Sequence, residues 1–228
     1  MTSIDANLQA IKERIARAAG AARRQPGDVR LVAVSKTFPA GRIAEAYAAG
    51  QRAFGENYAQ DGVEKITQLA ALPLEWHHIG PIQSNKTRLI AAHFQWAHGV
   101  ERETIARRLN EARPEGLPPL EVCIQVNVSG EAGKSGVAPG AETALAEAIA
   151  RLPRLRLRGL MALPEPTPDV LLQRRSFALL RELKDRLVAR GYALDTLSMG
   201  MSDDFEAAIL EGATLVRIGT AIFGPRNR

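Results

Sequence analysis

Eight short runs of apolar and β-branched residues recur along the chain, separated by longer segments whose apolar side chains fall at three- and four-residue spacing. The runs are LVAVS (31–35), RAFGE (52–56), EWHHIG (75–80), FQWAHG (94–99), LEVCIQVNV (120–128), RLRGLMA (156–162), DTLSMG (195–200) and TLVRIG (214–219). The segments between them include AGRIAEAYAAG, RETIARRLNEA and DVLLQRRSFALLRELKDRLVARG. Runs such as LVAVS lack polar alternation, the mark of a parallel strand covered on both faces. The alternation therefore predicts an α/β fold with helices outside a parallel sheet. Eight strands in 228 residues, near the ~250 typical of the class, predict a single (β/α)8 TIM barrel spanning residues 1–228. A doubly wound open sheet is the runner-up, weakened because no glycine-rich dinucleotide fingerprint follows an early strand. The chain ends soon after the eighth run, while a helical pattern at 3–24 precedes the first, so that segment is expected to fill the vacant helical position.

Composition narrows the function classes. A net charge of +5 raises nucleic acid as a partner, but arginines interleave with acids in stretches such as RELKDRLVAR and aromatics are only 5%, so no stacking platform is expected. The one cysteine, Cys123, has no partner for an internal disulfide and reads as a small buried hydrophobe. The N-terminal segment lacks the continuous apolar core of a signal peptide, and no run reaches about 18 uncharged apolar residues. The expectation is a soluble cytoplasmic protein with no membrane partner.

Lys36 ends the first apolar run. A lysine there is either a solvated strand terminus or an amine held at the mouth of a pocket for covalent chemistry. VSGEAGKSG superficially matches a phosphate-binding loop, but Val128 stands where its first glycine belongs, and Pro139 and Gly140 prevent an immediate helix. Lys134 within it is by default a solvated loop charge. The four histidines lack acidic partners at helical ligand spacing, so no metal site is expected. His77 and His78 should face opposite sides of their strand, so at most one can reach a pocket.

The strongest site signal is C-terminal. SMGMSDDFEAA places Ser198, Gly200 and Ser202 between the seventh strand and a helix, and Gly219 and Thr220 directly follow the eighth. Loops after strands seven and eight often cradle a phosphate in such barrels. The competing explanation is a capping box of Asp203 with Glu206, which needs no ligand and would repel a phosphate placed too close. Arg217 inside LVRIG must find an anion or acceptor if it points inward, because burying it unpaired is costly. Either a structural ion pair or a ligand atom would serve.

AVSKTFP, FGENYAQ, WHHIGPIQSNK, LSMGMSDDFEAAI and VRIGTAIFG, in this order across nearly the whole chain, resemble the pyridoxal phosphate homeostasis (YggS/PROSC) family. The resemblance implies a barrel like the N-terminal domain of alanine racemase, of PLP fold type III without the C-terminal β domain. It implies pyridoxal 5'-phosphate (PLP) held as an imine on Lys36, and Arg217 facing the pyridine nitrogen. A cation there makes the ring a weaker electron sink, disfavouring carbanion chemistry of the transaminase kind. The phosphate falls to Ser198, Gly200, Ser202, Gly219 and Thr220. Asn57 matches a position lining the cofactor, though helix capping explains it equally well. Departures are His78, where the family pattern has an aromatic such as Phe, and Phe38, which replaces a commonly polar residue.

The family resemblance implies a regulator that supplies or buffers PLP, with PLP-dependent apoenzymes as possible recipients and no established turnover. An amino-acid racemase is the alternative, but it would need a second base, and Tyr47, Tyr58 and Tyr192 are all expected on helices or their edges. A Schiff-base aldolase acting on a sugar phosphate is a further alternative. A monomer is expected because no long apolar helix face is left without a barrel to cover. Roles for Lys86 and Lys134 as secondary docking amines stay open.

Overall fold

The computed structural model describes residues 3–131 and 133–225. Each predicted run forms a strand: β1 Arg30–Val34, β2 Ala53–Glu56, β3 Glu75–His78, β4 Trp96–Val100, β5 Leu120–Gln125, β6 Leu155–Met161, β7 Thr196–Ser198 and β8 Leu215–Ile218. All neighbours pair in parallel, and β1 also pairs with β8, so the sheet closes into a barrel in sequence order. β5 is shorter than expected. After Gln125 the regular strand ends: the Val126 amide still donates to the Met161 carbonyl at 2.8 Å, and Val126 also bridges to Val137 in the following loop.

Alternation along the strands divides the core. Val32, Ala53, Trp96, Cys123, Met161 and Leu215 meet inside the barrel. Their neighbours Ala33, Phe54, Val122, Leu160 and Val216 pack outward under the helices. These are α2 Ala40–Ala48, α3 Ala59–Gln68, α4 Thr87–His93, α5 Glu103–Ala112, α6 Glu142–Ala150, α7 Val170–Ala189 and α8 Phe205–Leu210, with the short α9 Thr220–Phe223 after β8. Burial of Cys123 pushes its thiol up to about 12, so it is an inert part of this core.

The N-terminal α1, Ile4–Ala21, packs against α8, α9 and α2, as its expected position requires. Ser3 caps it by accepting from the Ala6 amide at 3.1 Å, and Ile4, Leu8, Ile11 and Ile15 form its buried stripe. Asn7 Nδ2 donates to the Ile222 carbonyl at 2.9 Å, and Arg14 pairs with Glu206 at 3.0 Å. α1 thereby braces the α8 and α9 segments that flank the barrel mouth. Among the described residues, no helix is long and apolar enough to cross a membrane.

Candidate functional site

A cavity of about 470 Å³ opens at the C-terminal mouth of the barrel. Of the predicted residues it brings together Lys36, Asn57, Ser202, Arg217, Gly219 and Thr220. Phe38, Gln125, Lys134, Leu163 and Met201 also line it. Lys86 lies in the 3-10 turn Ser84–Lys86 and does not.

Lys36 is set by a brace on the helix side of the barrel. Ser35 is fully buried, its hydroxyl donates to Glu56 Oε1 at 2.6 Å, and its amide donates to the Gly55 carbonyl at 3.0 Å. Lys65 Nζ donates to the Ser35 carbonyl at 3.0 Å and to Glu56 Oε1 at 2.8 Å. Burial raises the Glu56 carboxyl above its ordinary value, against the opposing pull of the Lys65 ammonium. Thr37 then adopts a left-handed conformation (φ 70°), and the Phe38 amide returns to the Ser35 carbonyl at 3.1 Å. The lysine is thus carried on a tight turn whose preceding residue is pinned by β2 and α3. Phe38 stacks on Phe223 with centroids 5.0 Å apart, covering the adjoining wall.

Asn57 follows β2 where β3 comes closest. A Cβ on Gly80 would lie 2.3 Å from the Asn57 carbonyl oxygen, so only glycine permits this approach. Asn57 Oδ1 is buried, and among the described residues it has no hydrogen-bond partner. Capping does not account for this residue, because the N-cap of α3 is Tyr58, with no side-chain cap bond.

Arg217 points inward from β8 and is 3% exposed. Nη1 donates to Ser198 Oγ at 2.5 Å and Nη2 to the Ala162 carbonyl at 2.9 Å. The expected alternative of a structural ion pair does not hold, since among the described residues no carboxylate lies within salt-bridge distance of it. Burial pushes its guanidinium down to about 10, while the nearby Asp204 charge opposes the shift.

The loop after β7 differs in detail from the expectation. Ser198 does not line the cavity: it is fully buried in the barrel interior, between Arg217 and His98, whose Nδ1 lies 2.7 Å from Ser198 Oγ. Its side chain follows the inward face of β7, which the strand period of two dictates. Gly200 also stays off the lining. Its φ is 94°, and a Cβ there would lie 2.9 Å from the Phe205 Cα, so its role is to turn the chain tightly under α8. The competing Asp203–Glu206 capping box does not form. Asp204 is the cap residue, its carboxylate accepts from the Met201 amide at 2.5 Å, and Glu206 turns away to Arg14. Among the described residues, the amides of Ser202, Thr220 and Ala221 meet no carbonyl acceptor.

Sequence reasoning missed the Glu56–Lys65 brace, Gln125 and the interior partners of Arg217. Neither His77 nor His78 lines the cavity: His78 packs edge-on against Phe94 outside the barrel, and His77 lies inside, beneath the mouth. Two inward-facing polar residues on adjacent strands, Ser198 and Arg217, were the available signal for a polar interior layer.

The alanine racemase N-terminal domain family profile matches residues 6–227. The pyridoxal phosphate homeostasis protein of Pseudomonas aeruginosa is 62% identical over 227 residues, covering 100% of this chain and 97% of that protein. The chain belongs to the pyridoxal phosphate homeostasis protein family. The homologue of that name from Escherichia coli is 52% identical over 233 residues, covering 100% of this chain and 98% of its own. Among solved structures, PipY of Synechococcus elongatus with PLP bound superposes with a TM-score of 0.80 at 38% identity, covering 92% of this chain and 100% of that one. The alanine racemase of Corynebacterium glutamicum shares the barrel alone, with a TM-score of 0.70 at 17% identity over 97% of this chain and 61% of its own.

Proposed function

We propose that the chain binds PLP covalently through Lys36 and acts in cytoplasmic PLP homeostasis, holding the cofactor and releasing it to PLP-dependent apoenzymes. The observation that carries this is the meeting in one cavity of a lysine on a pinned turn and a buried guanidinium that, among the described residues, has no carboxylate partner. The names of the relatives and the PLP in PipY support the same ligand.

The residues present fit such a group. Lys36 Nζ would hold the group covalently through its aldehyde carbon, a linkage that requires the amine in its unprotonated form and releases the aldehyde oxygen as water. The amides and hydroxyls at Ser202 and Thr220 provide donors suited to a phosphate. Asn57 Oδ1 offers an unused acceptor beside the cavity. Arg217 supplies positive charge where a pyridine nitrogen would be kept unprotonated, and PLP so held is a weak electron sink. Among the described lining residues there is no carboxylate, imidazole or phenol, which favours a holder of PLP over a two-base racemase.

The test is the visible spectrum of the purified protein with added PLP, followed by borohydride reduction and peptide mapping. Wild type is expected to show a band and a pyridoxyl group on Lys36, and Lys36→Ala neither. Transfer of PLP to an added apoenzyme, without exchange of amino-acid α-hydrogens into deuterated solvent, separates a carrier from a racemase. A wild type with no band would overturn the assignment.

A further inference from the structure

Beneath the cavity a chain of side-chain hydrogen bonds crosses the barrel from mouth to base. Arg217 Nη1 meets Ser198 Oγ at 2.5 Å, Ser198 Oγ meets His98 Nδ1 at 2.7 Å, His98 Nε2 meets His77 Nδ1 at 2.9 Å, and His77 Nε2 meets Glu75 Oε1 at 2.6 Å. Arg30 at the base donates to the same Glu75 oxygen at 2.7 Å. His77, His98 and Ser198 are each fully buried, in an interior that comparable barrels fill with branched aliphatic residues.

The ends of the chain fix its direction. Arg217 has only donors, so Ser198 Oγ must accept from it, which leaves its one hydroxyl hydrogen available to donate to His98 Nδ1. The Glu75 carboxylate has only acceptors, so His77 must carry its hydrogen on Nε2 and accept on Nδ1. Burial alone would raise the Glu75 carboxyl, but the hydrogen bond from His77 and the Arg30 guanidinium hold it down at about 2, so it is ionised at neutral pH. Burial lowers both imidazoles, most strongly His98, which keeps them neutral. With both ends fixed, the His98–His77 contact has one arrangement, in which His98 Nε2–H donates to His77 Nδ1. The opposite tautomers would set a bare His77 nitrogen against the Glu75 carboxylate at 2.6 Å. Every donor therefore points from the mouth toward the base, and every lone pair in the chain faces the Arg217 cation.

We infer that Ser198, His98, His77 and Glu75 are positioning residues, a one-way hydrogen-bond chain that holds the Arg217 guanidinium in place for the ligand ring. For its ligand this inference rests on the PLP reading, whereas the chain is a property of the protein alone. The buried arginine needs such support because, among the described residues, only one backbone carbonyl and the Ser198 hydroxyl accept hydrogen bonds from its guanidinium. A hydroxyl locked as acceptor by an imidazole behind it serves a cation better than one free to rotate.

Two measurements test it. Imidazole nitrogen NMR of the ligand-free protein is expected to show His77 and His98 both as Nε2–H tautomers. A hydrogen on Nδ1 of either ring would overturn the proposal whatever the protein binds. PLP titration, read by the visible band, then compares wild type, His98→Leu and His98→Gln. The leucine variant should bind roughly tenfold more weakly with a displaced band, as loss of one charge-assisted link implies. The glutamine amide can accept from Ser198 and donate to His77, so it should return affinity to within about threefold of wild type, less than one link is worth. Equal binding and an unmoved band in the leucine variant, or a glutamine variant no better than leucine, would sink the inference. Should His98→Leu not fold, the tautomers and the glutamine variant still decide. Failure of wild type itself to form the band would remove the PLP reading and leave the tautomer result to judge the chain.

Discussion

At the base of the barrel Arg30 meets Glu75, Arg158 meets both Glu121 and Asp195, and Arg113 donates to the carbonyls of Ala91, Phe94 and Pro118. At the mouth, Arg217 meets a hydroxyl and one carbonyl, and Asn57 Oδ1 meets nothing among the described residues. Arg158 also lies over the Trp96 ring at 5.1 Å, closing the base with a stacked cation. Both ends thus carry arginine, but only the base satisfies it with carboxylates. Polar groups left short of partners in a buried setting are costly unless something else completes them, so the difference marks the mouth as the end built for a ligand.

The comparison is broken most severely by removing the mouth's cation. Arg217→Met should weaken PLP binding by roughly ten- to a hundredfold, as loss of a hydrogen bond to a charged group would, while leaving stability near wild type, because an apolar side chain of similar volume relieves the burial of a charge. A thermal melt together with a PLP titration reads both. Affinity unchanged from wild type would place the ligand elsewhere in the cavity.

The brace behind Lys36 should show the reverse pattern. Glu56→Gln leaves the Lys65 ammonium without its counter-ion in a site where Glu56 is 1% and Lys65 11% exposed. The expected loss is about 3 kcal/mol of stability, measured by denaturant unfolding. Glu56→Leu combined with Lys65→Met should recover much of it. If the single and double variants lose equal stability, the pair is not coupled as the structure implies.

A smaller, pH-dependent effect sharpens the contrast at the base. The folded Glu75 carboxyl titrates at about 2 against an ordinary 4.5, so its contribution is present above 4.5 and lost as pH falls toward 2. Glu75→Gln should flatten the fall in stability across that window while wild type keeps it. Partial exposure of Glu75 moderates the size of the effect but not its sign. Identical acid-unfolding curves would show that the pairing contributes nothing measurable.

The positions of the eight strands were readable to within a few residues because each is a run of β-branched or aromatic residues bounded by turns, a local signal. Lys36, Ser202, Gly219 and Thr220 were readable as neighbours because each follows a strand and a closed barrel gathers strand ends on one rim, whereas Arg217 stood out as a charge within an apolar strand and Asn57 only through the family resemblance. Ser198 and Gly200 were legible as residues near the site but not in their tasks. Their placement depends on which face of β7 turns inward and on the crowding of Phe205 against the loop, neither of which is local.

The sequence by itself determined the closed alternating architecture and the lysine at the end of the first strand, since periodicity and strand-end position are encoded within short windows. Only the tertiary structure decided what stands behind those residues. Lys65 reaches Ser35 across 30 positions of chain, and His98 reaches Ser198 across 100. Hydrogen bonds between residues so far apart leave no periodic trace in sequence. They come into existence when the barrel closes and buried polar groups must find partners in one another.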